Sequence, residues 1–180
     1  AGAGIPSWIA MRFGANVVCT DQVVPERVRC IAECAERNYR QMEADAASSP
    51  STGNKGVEAV ARGTVQVCPY DWGTPVDQVT AVMGVGKNDR RFKVVVAADC
   101  CYVLLHDQLL QSINMLLADD GVALLPFALH GNTEDANVWH IVDLAKDKGF
   151  HVEILESGVL PPKYGWMSKQ AIIHMIRLTR

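Results

Sequence analysis

Apolar residues along this chain switch repeatedly between helical and strand spacing, and the switches define the elements. Ile5, Ile9 and Phe13 recur at steps of four behind a glycine-containing turn and predict a short amphipathic helix. Asn16 to Thr20 is apolar and β-branched, which predicts a strand that delivers Asp21 at its end. Pro25 suits a helix start, and Val28, Ile31, Ala32 and Ala35 carry that helix to about Met42. The small, polar segment DAASSPSTGNKG predicts a loop or insertion.

A strand from Thr64 to Cys68 runs into PYDWG, where Asp71, Trp72 and Gly73 form an abrupt turn. TPVDQVTAVMGVGKNDRR mixes a helical turn with a glycine-rich loop. Lys93 to Ala98 is a continuous apolar run, the pattern of a strand buried on both faces of a parallel sheet. Leu105, Leu109, Ile113 and Leu116 predict a helix that Gly121 stops. Val122 to Leu129 reads as a strand with an irregularity near its end, because Pro126 removes a ladder donor. Asn132 suits the cap of a helix whose apolar face is Val138, Ile141, Val142 and Ala145, closed by Gly149. Strands at His151–Leu155 and Ala171–Leu178 flank the loop ESGVLPPKYGWMSKQ.

Strand and helix alternate until the end, where two strands meet with no helix between them. The expected fold is therefore α/β: a Rossmann-like, doubly wound, mostly parallel sheet with an antiparallel C-terminal hairpin, as a single domain over residues 1–180.

Composition narrows the function classes. The chain is 49% apolar, enough for a core, and its net charge of -3 gives no general attraction to nucleic acid or anionic lipid. No apolar run spans a bilayer, and Arg12 interrupts the first apolar stretch, so a soluble, non-secreted protein is expected, cytoplasmic or also nuclear. The six cysteines include no CxxC pair and fall mostly in or beside strands, which favours reduced buried thiols over a metal or disulfide framework.

The candidate chemistry lies at strand ends. Gly2 and Gly4 let the backbone turn sharply and approach a ligand, and Asp21 follows the next strand at the spacing by which α/β sheets hold a nucleoside-bearing cofactor. The competing reading is an ordinary tight turn with a solvated Asp21. A second buried-looking strand also ends in an acid, Asp99, and two such strands at one sheet edge make a site.

GAGIPS, VVCTD, YDWG, AADCCY and ALHG occur in an order and spacing that resemble a seven-strand S-adenosylmethionine-dependent methyltransferase. The resemblance covers essentially the whole chain. It is nearest to the methyltransferase-like protein-lysine methyltransferases of elongation factors and chaperones, including members named after nicotinamide N-methyltransferase. It implies the class I methyltransferase fold with S-adenosyl-L-methionine as cofactor. It also implies that Ala1 and Gly2 lie in the loop under the methionine moiety, that Gly4 supports the turn, that Asp21 holds the ribose, and that Trp72 packs by the adenine. Trp72 read without the resemblance is a core residue under the following loop. Ala98 matches a small residue lining the cofactor.

Asp99, Cys100, Cys101 and Tyr102 match the family's acid-x-x-aromatic motif at the mouth between cofactor and substrate. The resemblance implies that Asp99 orients an incoming amine and Tyr102 walls a narrow channel; the alternative is that Asp99 caps the following helix. His130, Lys163, Tyr164 and Trp166 are further candidates for the rim, with packing roles as the alternative.

The family's first strand and first loop glycine would precede Ala1, so the chain resembles an N-terminally incomplete member, and residues 1–180 alone are expected not to fold. The segment Gly84 to Arg91 reads as an insertion. The expected activity is methylation of a protein lysine or N-terminal amine. The alternatives are a small-molecule N-methyltransferase and a non-catalytic binding module. A protein substrate is the expected partner, with no nucleic acid, membrane or metal, and the oligomeric state is open.

Overall fold

The computed structural model describes residues 1–48, 63–82, 91–129, 134–160 and 171–180. In chain order the elements are α1 (Ile5–Arg12), β1 (Asn16–Asp21), α2 (Pro25–Ser48), β2 (Thr64–Pro69), α3 (Asp77–Val82), β3 (Phe92–Val96), α4 (His106–Leu116), β4 (Leu117–Ala128), α5 (Asp135–Asp147), β5 (His151–Leu160) and β6 (Ala171–Thr179). One unit holds α1, β1, α2, β2 and α3; the other holds residues 72–76 and everything from β3 onward.

In the first unit β1 and β2 pair in parallel from Asn16↔Thr64 to Asp21↔Pro69. Trp8, Cys19 and Ile31 form its core, with Cys34, Ala35, Val65 and Val67 packed around them. The buried face of α1 is Trp8 and Met11, while Ile5, Ile9 and Phe13 are exposed. The apolar face predicted from steps of four is thus the outer one. Trp8 wins the inner position because its large ring fills the space that Gly4 leaves bare.

In the second unit the strand order is β3-β4-β6-β5, with β3–β4 parallel and β4–β6 and β6–β5 antiparallel. The C-terminal hairpin is therefore antiparallel as expected. Among the described residues β1–β2 and β3-β4-β6-β5 are two separate sheets. The core of the second unit includes Leu110, Ile113, Leu117, Leu125, Phe127, Val138 and Ile176, drawn from α4, β4, α5 and β6. The four residues read as the apolar face of α5 are all buried.

Three expectations are corrected here. First, β3 is not buried on both faces, because Val94 and Val96 are about half exposed on a strand with β4 as its one described partner. Second, α4 stops at Leu116 rather than at Gly121, and β4 begins at Leu117, which pairs with Phe92. Gly121 instead serves the register shift between Phe92 and Val94, where a Cβ would meet the Phe92 carbonyl oxygen at 3.0 Å and a Leu117 methyl at 2.8 Å.

Third, Pro126 causes no irregularity, since the β4–β6 register is continuous from Ala123 to Ala128. The Leu124 and Pro126 carbonyls accept from Ala97 and Asp99 on the β3 side. The nitrogen of Pro126 faces that same side, so the proline removes no donor from the β4–β6 ladder.

Candidate active site

In the first unit the glycine turn and the end of β1 come together. Gly2 and Gly4 have φ of 58° and 70°, left-handed conformations that favour glycine, and the Gly4 N–H donates to the Ala1 carbonyl at 3.0 Å. A Cβ on Gly4 would lie 2.5 Å from the Trp8 ring, and Trp8 Nε1 donates to the Ala3 carbonyl at 2.7 Å. Trp8, 6% exposed, is therefore the pin that shapes the turn. Sequence reasoning missed it, although a tryptophan four residues after a helix-opening glycine is a readable signal.

Asp21 ends β1 and turns its carboxylate onto this loop. Oδ2 accepts from the nitrogen of Ala1 and from the Gly2 N–H at 3.3 Å, and Oδ1 accepts from the Gln22 N–H at 2.8 Å. The Arg27 guanidinium stands 4.0 Å from Oδ1. Partial burial alone would raise the Asp21 pKa. The Gln22 and Gly2 amides act the other way, each favouring the ionised carboxylate. The next strand is tied on by the Tyr70 N–H, which donates to the Asp21 carbonyl at 2.7 Å, and by the Val23 N–H, which donates to the Asp71 carboxylate at 3.2 Å.

These residues fit a ribose-bearing cofactor with a flexible charged tail. No atom lies within 4 Å of a Cβ placed on Gly2, so its backbone is open to close approach, and Asp21 is an ionised acceptor beside it. Ala1, Gly2, Gly4 and Asp21 thus form one cluster.

Trp72, Ala98, Asp99 and Tyr102 belong to the second unit. Trp72 is partly buried against its core, in agreement with the packing alternative, and part of the residue remains accessible. The following Gly73, with φ of 81°, donates its N–H to Ser112 Oγ at 2.8 Å, and that hydroxyl donates to the Gln108 carbonyl at 2.9 Å. Ser112 is buried on α4 and was not foreseen as a support for this turn.

Ala98 and Asp99 are exposed at the end of β3, and Tyr102 is 45% exposed. Asp99 has φ of 53°, the one non-glycine residue with positive φ among the described residues, and its N–H donates to the Pro126 carbonyl at 2.7 Å. Strain of this kind persists where surrounding contacts hold it and clusters at functional positions. Cys101 is fully buried in the core, and its thiol is pushed up to about 12 by burial, then by the charges of Cys100 and Asp99, which disfavours the reactive thiolate. Burying Cys101 turns its neighbours outward, so the motif presents an acid and a phenol on an anchored turn. Asp99 does not cap α4; Leu105 stands at its N-cap without a side-chain bond.

His130, Asn132, Lys163, Tyr164 and Trp166 lie outside the described residues, as does the segment 84–90. Arg91 is described, and its guanidinium pairs with Asp119 at 2.8 Å. No described helix is long and apolar enough to cross a membrane.

No family model matches this sequence, and no curated protein matches it. Solved structures match it in fold. The precorrin-6y C5,15-methyltransferase of Geobacter metallireducens superposes with a TM-score of 0.61 at 12% identity, over 100% of this chain and 76% of that one. The arsenic(III) S-adenosylmethionine methyltransferase of Chlamydomonas reinhardtii gives 0.53 at 14%, over 100% and 61%. Aeropyrum pernix fibrillarin, solved with natively bound S-adenosyl-L-methionine, gives 0.51 at 11%, over 91% and 55%. The chain has the Rossmann-like class I methyltransferase fold.

Proposed function

We propose that this protein is an S-adenosylmethionine-dependent N-methyltransferase whose acceptor is a protein lysine or an N-terminal amine. The observation that carries the cofactor assignment is the Asp21 carboxylate seated on the Gly2 N–H, at the end of the strand that follows the glycine turn. Fold neighbours that are named for S-adenosylmethionine, or were solved with it, support the same reading. Those neighbours are named for chemically different substrates, so the acceptor is argued from this chain's own residues. The motif resemblance to protein-lysine methyltransferases supports a protein amine as that acceptor.

The cofactor, when bound, supplies a methyl group made electrophilic by its sulfonium. Asp21 would accept from the ribose hydroxyls, and the bare backbone at Gly2 would leave room for the methionine end. By the sequence resemblance, Trp72 would offer a flat face to the adenine. Asp99 accepts a hydrogen bond from the incoming amine and aims its lone pair, and Tyr102 narrows the approach so that attack is in line. An amine must be neutral to attack, and a carboxylate at the mouth is suited to receive its proton or pass it to water.

The test is incubation of the protein with methyl-labelled cofactor and a cell extract, followed by separation of proteins from small molecules. Label in a protein band, in acid-stable form on lysine or an N-terminus, is the expected result. Label only in the small-molecule fraction overturns the protein acceptor. Cofactor binding without transfer to either fraction overturns catalysis and leaves a binding module.

A further inference from the structure

We propose that His106 is a positioning residue for the turn that carries Asp99 and Tyr102. The inference rests on the reading of that turn as the substrate-facing part of the site.

His106 is the first residue of α4 and is 5% exposed. Its Nε2 lies 2.6 Å from the carbonyl oxygen of Cys101. A carbonyl only accepts, so Nε2 carries the hydrogen and donates it. The bond joins a buried ring at the start of a helix to the middle of the Asp99–Tyr102 segment. A buried imidazole needs such a partner, and a buried carbonyl in a non-helical turn needs such a donor. Each satisfies the other.

The rest of the turn shows why this bond matters. Asp99 holds a left-handed φ of 53°, a conformation that a residue with a side chain keeps only where its surroundings over-determine it. On one side the Asp99 N–H is fixed to the Pro126 carbonyl on β4. On the other, the Cys101 side chain is sunk in the core and its carbonyl is fixed to His106. The turn is also closed by the Val103 N–H, which donates to the Cys100 carbonyl at 3.3 Å. Release of the His106 anchor frees the carbonyl next to Tyr102, while Asp99 keeps its tether to β4, so the spacing between the two changes. Misplacement of a positioning group by about 1 Å costs on the order of a hundredfold in rate.

The test compares three variants. His106→Gln places an amide N–H near the position of Nε2, His106→Asn places one near Nδ1 instead, and His106→Leu removes the donor altogether. Two readouts are taken: the rate of alkylation at Cys101, followed by peptide mass spectrometry, and kcat against KM for the methyl acceptor and the cofactor. The glutamine variant is expected to keep Cys101 protected and kcat within about threefold of the wild type. The asparagine and leucine variants are expected to alkylate Cys101 about tenfold faster and to lose about tenfold or more in kcat, with cofactor KM unchanged.

If the leucine variant does not fold, the glutamine and asparagine pair decides. Equal behaviour of those two in both readouts overturns the proposal. If the wild type transfers no methyl group but Cys101 alkylation still separates glutamine from asparagine, His106 positions the turn and the methyl-transfer reading is what falls. If transfer is normal in all three variants, the positioning role falls and methyl transfer stands.

Discussion

Gly4 and Trp8 are shaped to one another across the first turn of α1: the ring occupies the volume a Cβ would need, and its N–H closes on the carbonyl of the residue before the glycine. Gly4→Ala should therefore destabilise the first unit by about 1–3 kcal/mol, from the left-handed φ and from overpacking together. Trp8→Phe should cost about 1–3 kcal/mol by leaving the Ala3 carbonyl without its donor. Denaturant unfolding of both variants checks this, and wild-type midpoints would show that the turn is not held by this pair.

Asp21→Ala should weaken S-adenosylmethionine by about ten- to a hundredfold, since a charged acceptor contributes about 1.5–3 kcal/mol to such hydrogen bonds. Calorimetric titration of the folded variant reads this directly. Unchanged affinity removes Asp21 from the site.

Asp99→Ala and Tyr102→Ala should lower turnover by about tenfold or more and leave cofactor affinity nearly intact, since both stand on the acceptor side in the proposed mechanism. Asp99→Gly separates conformation from chemistry. It relieves the left-handed φ and should raise stability by up to about 1 kcal/mol while losing the same activity. Full activity in all three variants would make the motif structural.

Val94 and Val96 give a prediction about the side of β3 that pairs with no described strand. The Ala97 N–H donates to Leu124 on β4, and alternate amides along a strand point to opposite edges. The N–H groups of Val94 and Val96 should therefore exchange with solvent much faster than those of Val95 and Ala97, as read by amide exchange in NMR. Equal protection at all four would mean that this edge is covered by another strand.

The elements and the acids at strand ends were legible from local pattern. β1 ends at Asp21 because β-branched residues stop there, and the helical spacing of Val138, Ile141, Val142 and Ala145 alone identifies the buried face of α5. The turn at Gly2 and Gly4 was legible for the same reason, since a backbone conformation is a property of a few neighbouring residues. What tertiary structure decided was which of two locally equivalent choices each segment takes. α1 has an apolar stripe on either side, and Trp8 and Met11 go inward because Gly4 and the sheet leave room there. The run from Met115 to Leu125 continues equally well as helix or strand, and pairing of Leu117 with Phe92 sets the border. The link from His106 to the Cys101 carbonyl has no spacing rule, because it joins a side chain to a backbone atom brought near by the burial of both. Periodicity fixes what a segment can form; burial, which depends on residues distant in the chain, chooses the face, the end and the partner.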